Sequence, residues 1–145
     1  MVKKITSKSI LVVDDDARML RALEKVLTGE GHAVMCANWA GDAIDTLVEQ
    51  KEKVELVITD LRMPLVTGIT AIHAIHLALP GLPIIVLTAF GGPDVKAECL
   101  RQGAKDFLEK PLDTKRLLGA IESVFAAPKA DPEPTKAYKT GGVFD

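Results

Sequence analysis

Residues 10–31 read ILVVDDDARMLRALEKVLTGEG, and two periods meet inside them. Ile10–Val13 is a short apolar run without alternation, as expected of a strand covered on both faces. After the aspartates the period changes. Leu20, Leu23 and Leu27 fall on one helical face, and Gly29-Glu30-Gly31 supplies a stop signal. An apolar strand, an acidic turn and an amphipathic helix make one βα unit.

The unit recurs along the chain. Further apolar runs stand at Ala33–Ala37, Leu56–Ile58, Ile84–Leu87 and Phe107–Leu108, several of them dominated by Ile and Val. Helix-period stripes lie between and after them. Ala43, Ile44, Leu47 and Val48 share a face. Ile69, Ile72, Ile75 and Leu79 form a second stripe, closed by Pro80-Gly81. Val95 and Cys99, with Leu100 beside them, make a weaker one. Leu117, Leu118, Ile121, Val124 and Phe125 make a strong one, with Asp113 or Thr114 placed to cap it. Five such units predict an α/β fold: a doubly wound parallel sheet with helices on two faces. They are too few for an eightfold barrel. The common small version has strand order 2-1-3-4-5.

The chain has 145 residues, 48% apolar and 26% charged. That is enough for one domain with a core needing no disulfide or structural metal. The formal net charge is −2, but residues 9–127 carry 12 basic and 17 acidic groups, a net of −5. A domain built around nucleic acid is not expected from that balance, nor stacking platforms from 4% aromatics. Cys36 and Cys99 form no CxxC pair and read as small buried hydrophobes in a reducing compartment. No apolar stretch reaches the ~18 residues of a membrane span. A cytoplasmic chain is expected, with no membrane partner. Residues 1–7 read as a short basic lead, 8–126 as the domain and 127–145 as a Pro-rich flexible tail or truncated linker. Tyr138 and Val143-Phe144 lie in that tail, whose composition favours a solvated segment without a partner.

Ligands of open α/β sheets bind beyond the carboxyl ends of the strands. The first run ends in Asp14-Asp15-Asp16, the third in Thr59-Asp60, the fourth in Thr88-Ala89 and the fifth in Glu109-Lys110-Pro111. Adjacent strands would bring several carboxylates, a hydroxyl and an ammonium to one edge. Converging like charges persist when a cation neutralises them or some stay protonated. Mg²⁺ suits all-oxygen ligands and commonly sits between carboxylates and a phosphate. A carboxylate can also serve as a nucleophile and form an acyl phosphate. Such a transfer needs mainly positioning and charge neutralisation, which a divalent ion, Lys110 and the Thr88 hydroxyl can supply.

ILVVDDD, LVITDLRMP…G, IIVLTA and DFLEKPLD together resemble the receiver domain of two-component response regulators, over residues 8–126. Receivers are themselves a standard example of the flavodoxin-like 2-1-3-4-5 order, so that order belongs to the resemblance as well. The resemblance implies that Asp60 is the phosphoacceptor and that Asp14 and Asp15 hold Mg²⁺ (or Mn²⁺) with Asp60 and the backbone carbonyl of Arg62. It implies that Thr88 is the switch hydroxyl, that the Ala89 amide touches the phosphoryl group and that Lys110 pairs with a phosphoryl oxygen. Phe107 takes the aromatic switch position, and Pro111 follows Lys110 through a cis peptide bond. Thr67 stands where the family often has an acid or amide, and can cap the third helix equally well. Arg62 and Phe90 occupy positions that modulate dephosphorylation, which implies slow to moderate loss of phosphate.

The implied function is a phosphorylation-dependent signalling switch, not an enzyme beyond its own phosphotransfer and dephosphorylation. Its partners would be a cognate histidine kinase and a downstream protein or output domain. That partner would read the face of the fourth helix, fifth strand and fifth helix. A phosphorylation-dependent homodimer fits the same reading; direct nucleic-acid binding by this domain does not. The chain reads as a stand-alone receiver or one excised from a larger regulator, and DFLEKPLD resembles receivers attached to enhancer-binding transcription activators. Two alternatives are weaker. A haloacid-dehalogenase-like phosphatase would use Asp14 and Asp16 as DxD, but Arg18 replaces its Thr or Val and Asp60 would have no role. A degenerate interaction module sits poorly with an intact Asp14, Asp15, Asp60, Thr88 and Lys110. His73 and His76 share a helix side without a third ligand or an HExxH pattern, and read as structural. Trp39 is expected to pack near the second helix.

Overall fold

The computed structural model describes residues 6–61 and 68–126. Its elements alternate from end to end: β1 (Ser9–Val13), α1 (Ala17–Gly29), β2 (Ala33–Ala37), α2 (Ala40–Gln50), β3 (Leu56–Thr59), α3 (Gly68–Ala78), β4 (Ile84–Thr88), α4 (Pro93–Arg101), β5 (Asp106–Glu109) and α5 (Thr114–Ala126). All pairings are parallel, and the sheet order is β2-β1-β3-β4-β5. The fold is the flavodoxin-like one the sequence predicts.

The period-2 geometry of strands splits the apolar runs between two cores. Leu11, Val13, Val57, Ile84, Val86 and Phe107 face α2, α3 and α4, where Ala43, Leu47, Ile72, Ile75 and Cys99 complete the packing. Ile10, Val12, Leu56, Ile58, Ile85 and Leu108 face α1 and α5, against Leu23, Leu27, Leu117 and Ile121. With both faces covered, β1, β3 and β4 are apolar at almost every position.

Several sequence expectations need correction. Ile44 and Val48 do not share the buried face of α2; Val48 is 72% exposed, and Ala40, Ala43 and Leu47 make the contact instead. The two exposed residues line an apolar groove between α2 and α3 with Ala74 and Leu79. On α4, Cys99 is buried but Leu100 faces outward. Cys36 is exposed, because β2 is an edge strand and its middle is only partly covered. Trp39 packs beside α2 as expected: a Cβ on Gly41 would meet the Trp39 ring at 2.1 Å. Among the described residues, no helix is long and apolar enough to cross a membrane. The tail with Tyr138 and Val143-Phe144 lies outside the described residues.

Candidate functional site: an acidic cluster with one lysine

The chain reverses direction across the sheet between β1 and β3, since β2 lies on one side of β1 and β4 on the far side of β3. Asp14 and Asp60 stand just past the ends of these two strands. Backbone hydrogen bonds continue the ladder through them, from Asp14 N–H to the Ala37 carbonyl (3.1 Å) and from Asp60 N–H to the Val13 carbonyl (3.0 Å). Each side chain is therefore fixed at a strand terminus, where crevice ligands of such sheets bind.

Local turns then aim the carboxylates. Asp16 caps α1, its Oδ1 accepting from Arg18 N–H (2.9 Å) and Met19 N–H (3.4 Å). Asp14 Oδ1 accepts from Asp16 N–H at 2.9 Å. The third aspartate thus serves the helix and leaves Asp14 and Asp15 to the crevice. Asp60 Oδ1 accepts from Leu61 N–H at 2.7 Å. Gly68 brings the start of α3 close against Leu61: a Cβ there would lie 2.3 Å from Leu61 Cα, and its N–H donates to the Leu61 carbonyl at 3.0 Å. The glycine closing the LVITDLRMP…G motif signalled the position, but not the contact that requires it.

The carboxylates of Asp14, Asp15 and Asp60 each offer an oxygen within 4.8 Å of the others. Asp14 and Asp60 are 2% and 5% exposed, while Asp15 faces solvent. Lys110 reaches the cluster from just beyond β5. Its Nζ donates to Asp14 Oδ2 at 2.8 Å and to Asp60 Oδ2 at 3.2 Å. Burial pushes the Asp14 carboxyl above its ordinary value, against the Lys110 and Asp16 hydrogen bonds, and Asp60 adds to the rise. Burial alone would lower the Lys110 pKa, but its hydrogen bonds and charge attraction to Asp14 and Asp60 leave it raised. Among the described residues, three carboxylates meet one ammonium in the crevice. Oxygen donors in excess of their counter-charge are the set that a hard divalent cation takes, so the residues fit Mg²⁺.

Thr88 is fully buried at the end of β4, and its Oγ1 accepts from Phe90 N–H at 3.1 Å. Ala89 and Phe90 are exposed in the loop that follows. Phe107 is buried in the core under α4. Lys110-Pro111 is a cis peptide bond, as the resemblance implies. Arg62 and Thr67 lie outside the described residues. His73 is exposed, while His76 packs against Gly103. Sequence reasoning missed His32, buried with its Nδ1 accepting from Lys8 N–H at 3.0 Å. Glu109, which the sequence places at the same sheet edge, is exposed and accepts from Gly92 N–H at 3.3 Å.

The model of the response regulator receiver domain matches residues 10–122. The transcriptional regulatory protein GlrR of Escherichia coli K12 is 39% identical over 134 residues, covering 90% of this chain and 30% of that protein. Among solved structures, a response regulator receiver protein from Pseudomonas putida aligns with TM-score 0.74 and 33% identity, over 81% of this chain and 97% of that one. A chain of the CheX-CheY-BeF3-Mg²⁺ complex from Borrelia burgdorferi aligns with TM-score 0.79 and 29% identity, over 81% of this chain and 89% of that one. A doubly wound sheet with an acidic crevice at its switch point is thus the receiver class of signalling module. The chain belongs to the response regulator receiver domain family of two-component signal transduction. It spans about 30% of the length of the curated relatives it matches.

Proposed function

We propose that this receiver is a phosphorylation switch whose phosphoacceptor is Asp60. The observation that carries the reading is the Asp14–Asp15–Asp60 cluster with Lys110 Nζ bonded to two of its members. A carboxylate oxygen of Asp60 attacks the phosphorus of a kinase phosphohistidine. The new O–P bond forms as the P–N bond breaks, and the imidazole leaves with the bonding pair and takes up a proton. Asp14, Asp15, Asp60 and the Arg62 carbonyl would hold Mg²⁺ (Mn²⁺ fits the same donors). Bound there, the ion supplies neutralisation of the phosphoryl oxygens. Lys110 pairs with another phosphoryl oxygen, and Ala89 N–H donates to the group.

Thr88 and Phe107 couple this charge change to the partner face. The acyl phosphate favours a Thr88 position nearer the crevice, and Phe107 repacks behind it. The face of α4, β5 and α5 then takes its second arrangement. A partner discriminates only by its different affinity for the two arrangements. The GlrR and ZraR relatives are named transcriptional regulatory proteins, which supports an output domain acting on transcription in the full-length regulator. Residues 8–126 form the switch, residues 1–7 a short basic lead, and residues 127–145 a Pro-rich flexible tail or truncated linker. The chain acts in the cytoplasm, where kinase and output meet.

Beryllofluoride with Mg²⁺ tests the site as a non-covalent phosphoryl mimic. Calorimetry should show saturable one-to-one binding that requires the metal and disappears in Asp60→Asn. No binding by the wild-type chain would return it to a degenerate interaction module.

A further inference from the structure

The end of β5 carries a carboxylate that the crevice does not use. Glu109 is exposed and stands opposite Thr88 in the parallel ladder. Its Oε2 accepts from the backbone N–H of Gly92 at 3.3 Å. The same carboxylate lies over Gly91: a Cβ built there would sit 2.2 Å from Glu109 Cδ and 2.3 and 2.4 Å from its two oxygens. Beside it, Thr88 Oγ1 accepts from Phe90 N–H. Two paired strand residues, Thr88 and Glu109, therefore hold one loop, Ala89–Gly92. Gly92 has φ of 124°, a conformation that favours glycine, and α4 begins at the next residue. Gly92 has no side chain with which to cap that helix, and Glu109 brings a carboxylate to its N-terminal end from β5.

We propose that Glu109 is a positioning residue that latches the β4–α4 loop to the end of β5 in the unphosphorylated protein, and that releasing this latch is part of switching. The proposal rests on the reading that Asp60 accepts a phosphoryl group. The latched loop holds Ala89, whose amide meets that group, and Lys110 is the residue next to Glu109. Moving the loop toward the crevice carries Gly92 N–H away from the carboxylate. The bond is long and solvent-exposed, so it biases the loop without freezing it. Gly91 is part of the device, because a Cβ there and the Glu109 carboxylate compete for one space. Its φ is not positive, so alanine is allowed by the backbone and only the flexible end of Glu109 has to move. The latch can thus be opened without touching Glu109.

The experiment compares Glu109→Ala, Glu109→Gln, Gly91→Ala and the Gly91→Ala/Glu109→Ala double variant with the wild type. Amide exchange of Gly92, followed by NMR in the metal-free protein, reads the latch. The rate of phosphoryl uptake from acetyl phosphate with Mg²⁺ reads the switch. Glu109→Ala should raise both by about three- to tenfold, the factor that one net hydrogen bond supplies. Gly91→Ala should reproduce the change, and the double variant should exceed neither single one. Glu109→Gln keeps a carbonyl acceptor and should fall between Glu109→Ala and the wild type. Unchanged Gly92 exchange in Glu109→Ala overturns the latch. Faster exchange with unchanged uptake leaves a tether without a part in switching and overturns the proposal. Additive single effects overturn the shared-space argument. A wild-type chain that takes up no phosphoryl group sinks the Asp60 reading and the switching role together, whereas Gly92 exchange still reports on the latch alone.

Discussion

Asp14→Asn combined with Asp15→Asn is expected to weaken Mg²⁺ binding by at least about a hundredfold. Two unit charges about 4 Å apart interact by about 4 kcal/mol at the effective dielectric of a partly exposed site, and this variant removes two of the cluster's three carboxylates. The same change should raise stability in the absence of metal. Burial, and the charge of Asp60 beside it, push the Asp14 carboxyl above its ordinary value, and an amide of the same shape carries neither cost. Thermal melts over a Mg²⁺ series check both effects. The wild type should start lower in EDTA and climb with added Mg²⁺, by about 2.7 kcal/mol when the ion is at a hundred times its dissociation constant. The variant should start higher and stay flat. A variant that tracks the wild type through the series would remove these two residues from the metal site.

The second large effect concerns Lys110, the cation bonded to both Asp14 and Asp60. Lys110→Met leaves two buried carboxylates without their shared counter-charge. Breaking one partner out of a fully buried pair costs about 3–5 kcal/mol. Lys110 keeps some contact with water, so about 2–4 kcal/mol is expected in metal-free protein at neutral pH, with part restored by Mg²⁺. The pH dependence follows from the direction of the Lys110 shift. Its folded pKa lies above the ordinary 10.5, so its stabilisation is fully present below that value and lost as pH rises through the folded pKa. The wild type's advantage over Lys110→Met should therefore hold level from neutral pH to about 10 and shrink above it. Denaturant midpoints for both proteins across that range give the comparison. A gap that widens in alkali would mean that Lys110 does not carry the charge balance of the crevice.

The two periods in residues 10–31 were enough to reveal the βα unit, because both arise from geometry local to a strand or a helix. The acidic turn was legible for the same reason. Chain order puts Asp14 and Asp60 at strand ends, and a parallel sheet gathers those ends on one edge. What the sequence hid was every property set by which neighbour is present or absent in space. Val48 and Ile44 match the helical period of Leu47, yet among the described residues they line an open groove beside α3 instead of a packed core. Cys36 lies on a strand with only one partner and is left open. The sequence puts Glu109 at a strand end, and only the approach of Gly91 and Gly92 gives its carboxylate a task. Gly68 closes the LVITDLRMP…G motif in the sequence, and only its contact with Leu61 explains why no larger residue fits.

The central claim is that Asp60 takes a phosphoryl group in a metal-dependent reaction. Incubation with acetyl phosphate, followed by intact-mass measurement and peptide mapping, tests it directly. One phosphoryl group per chain is expected, located on Asp60, dependent on Mg²⁺ and absent from Asp60→Asn. An unmodified wild-type chain, or an adduct that persists in Asp60→Asn, would contradict it.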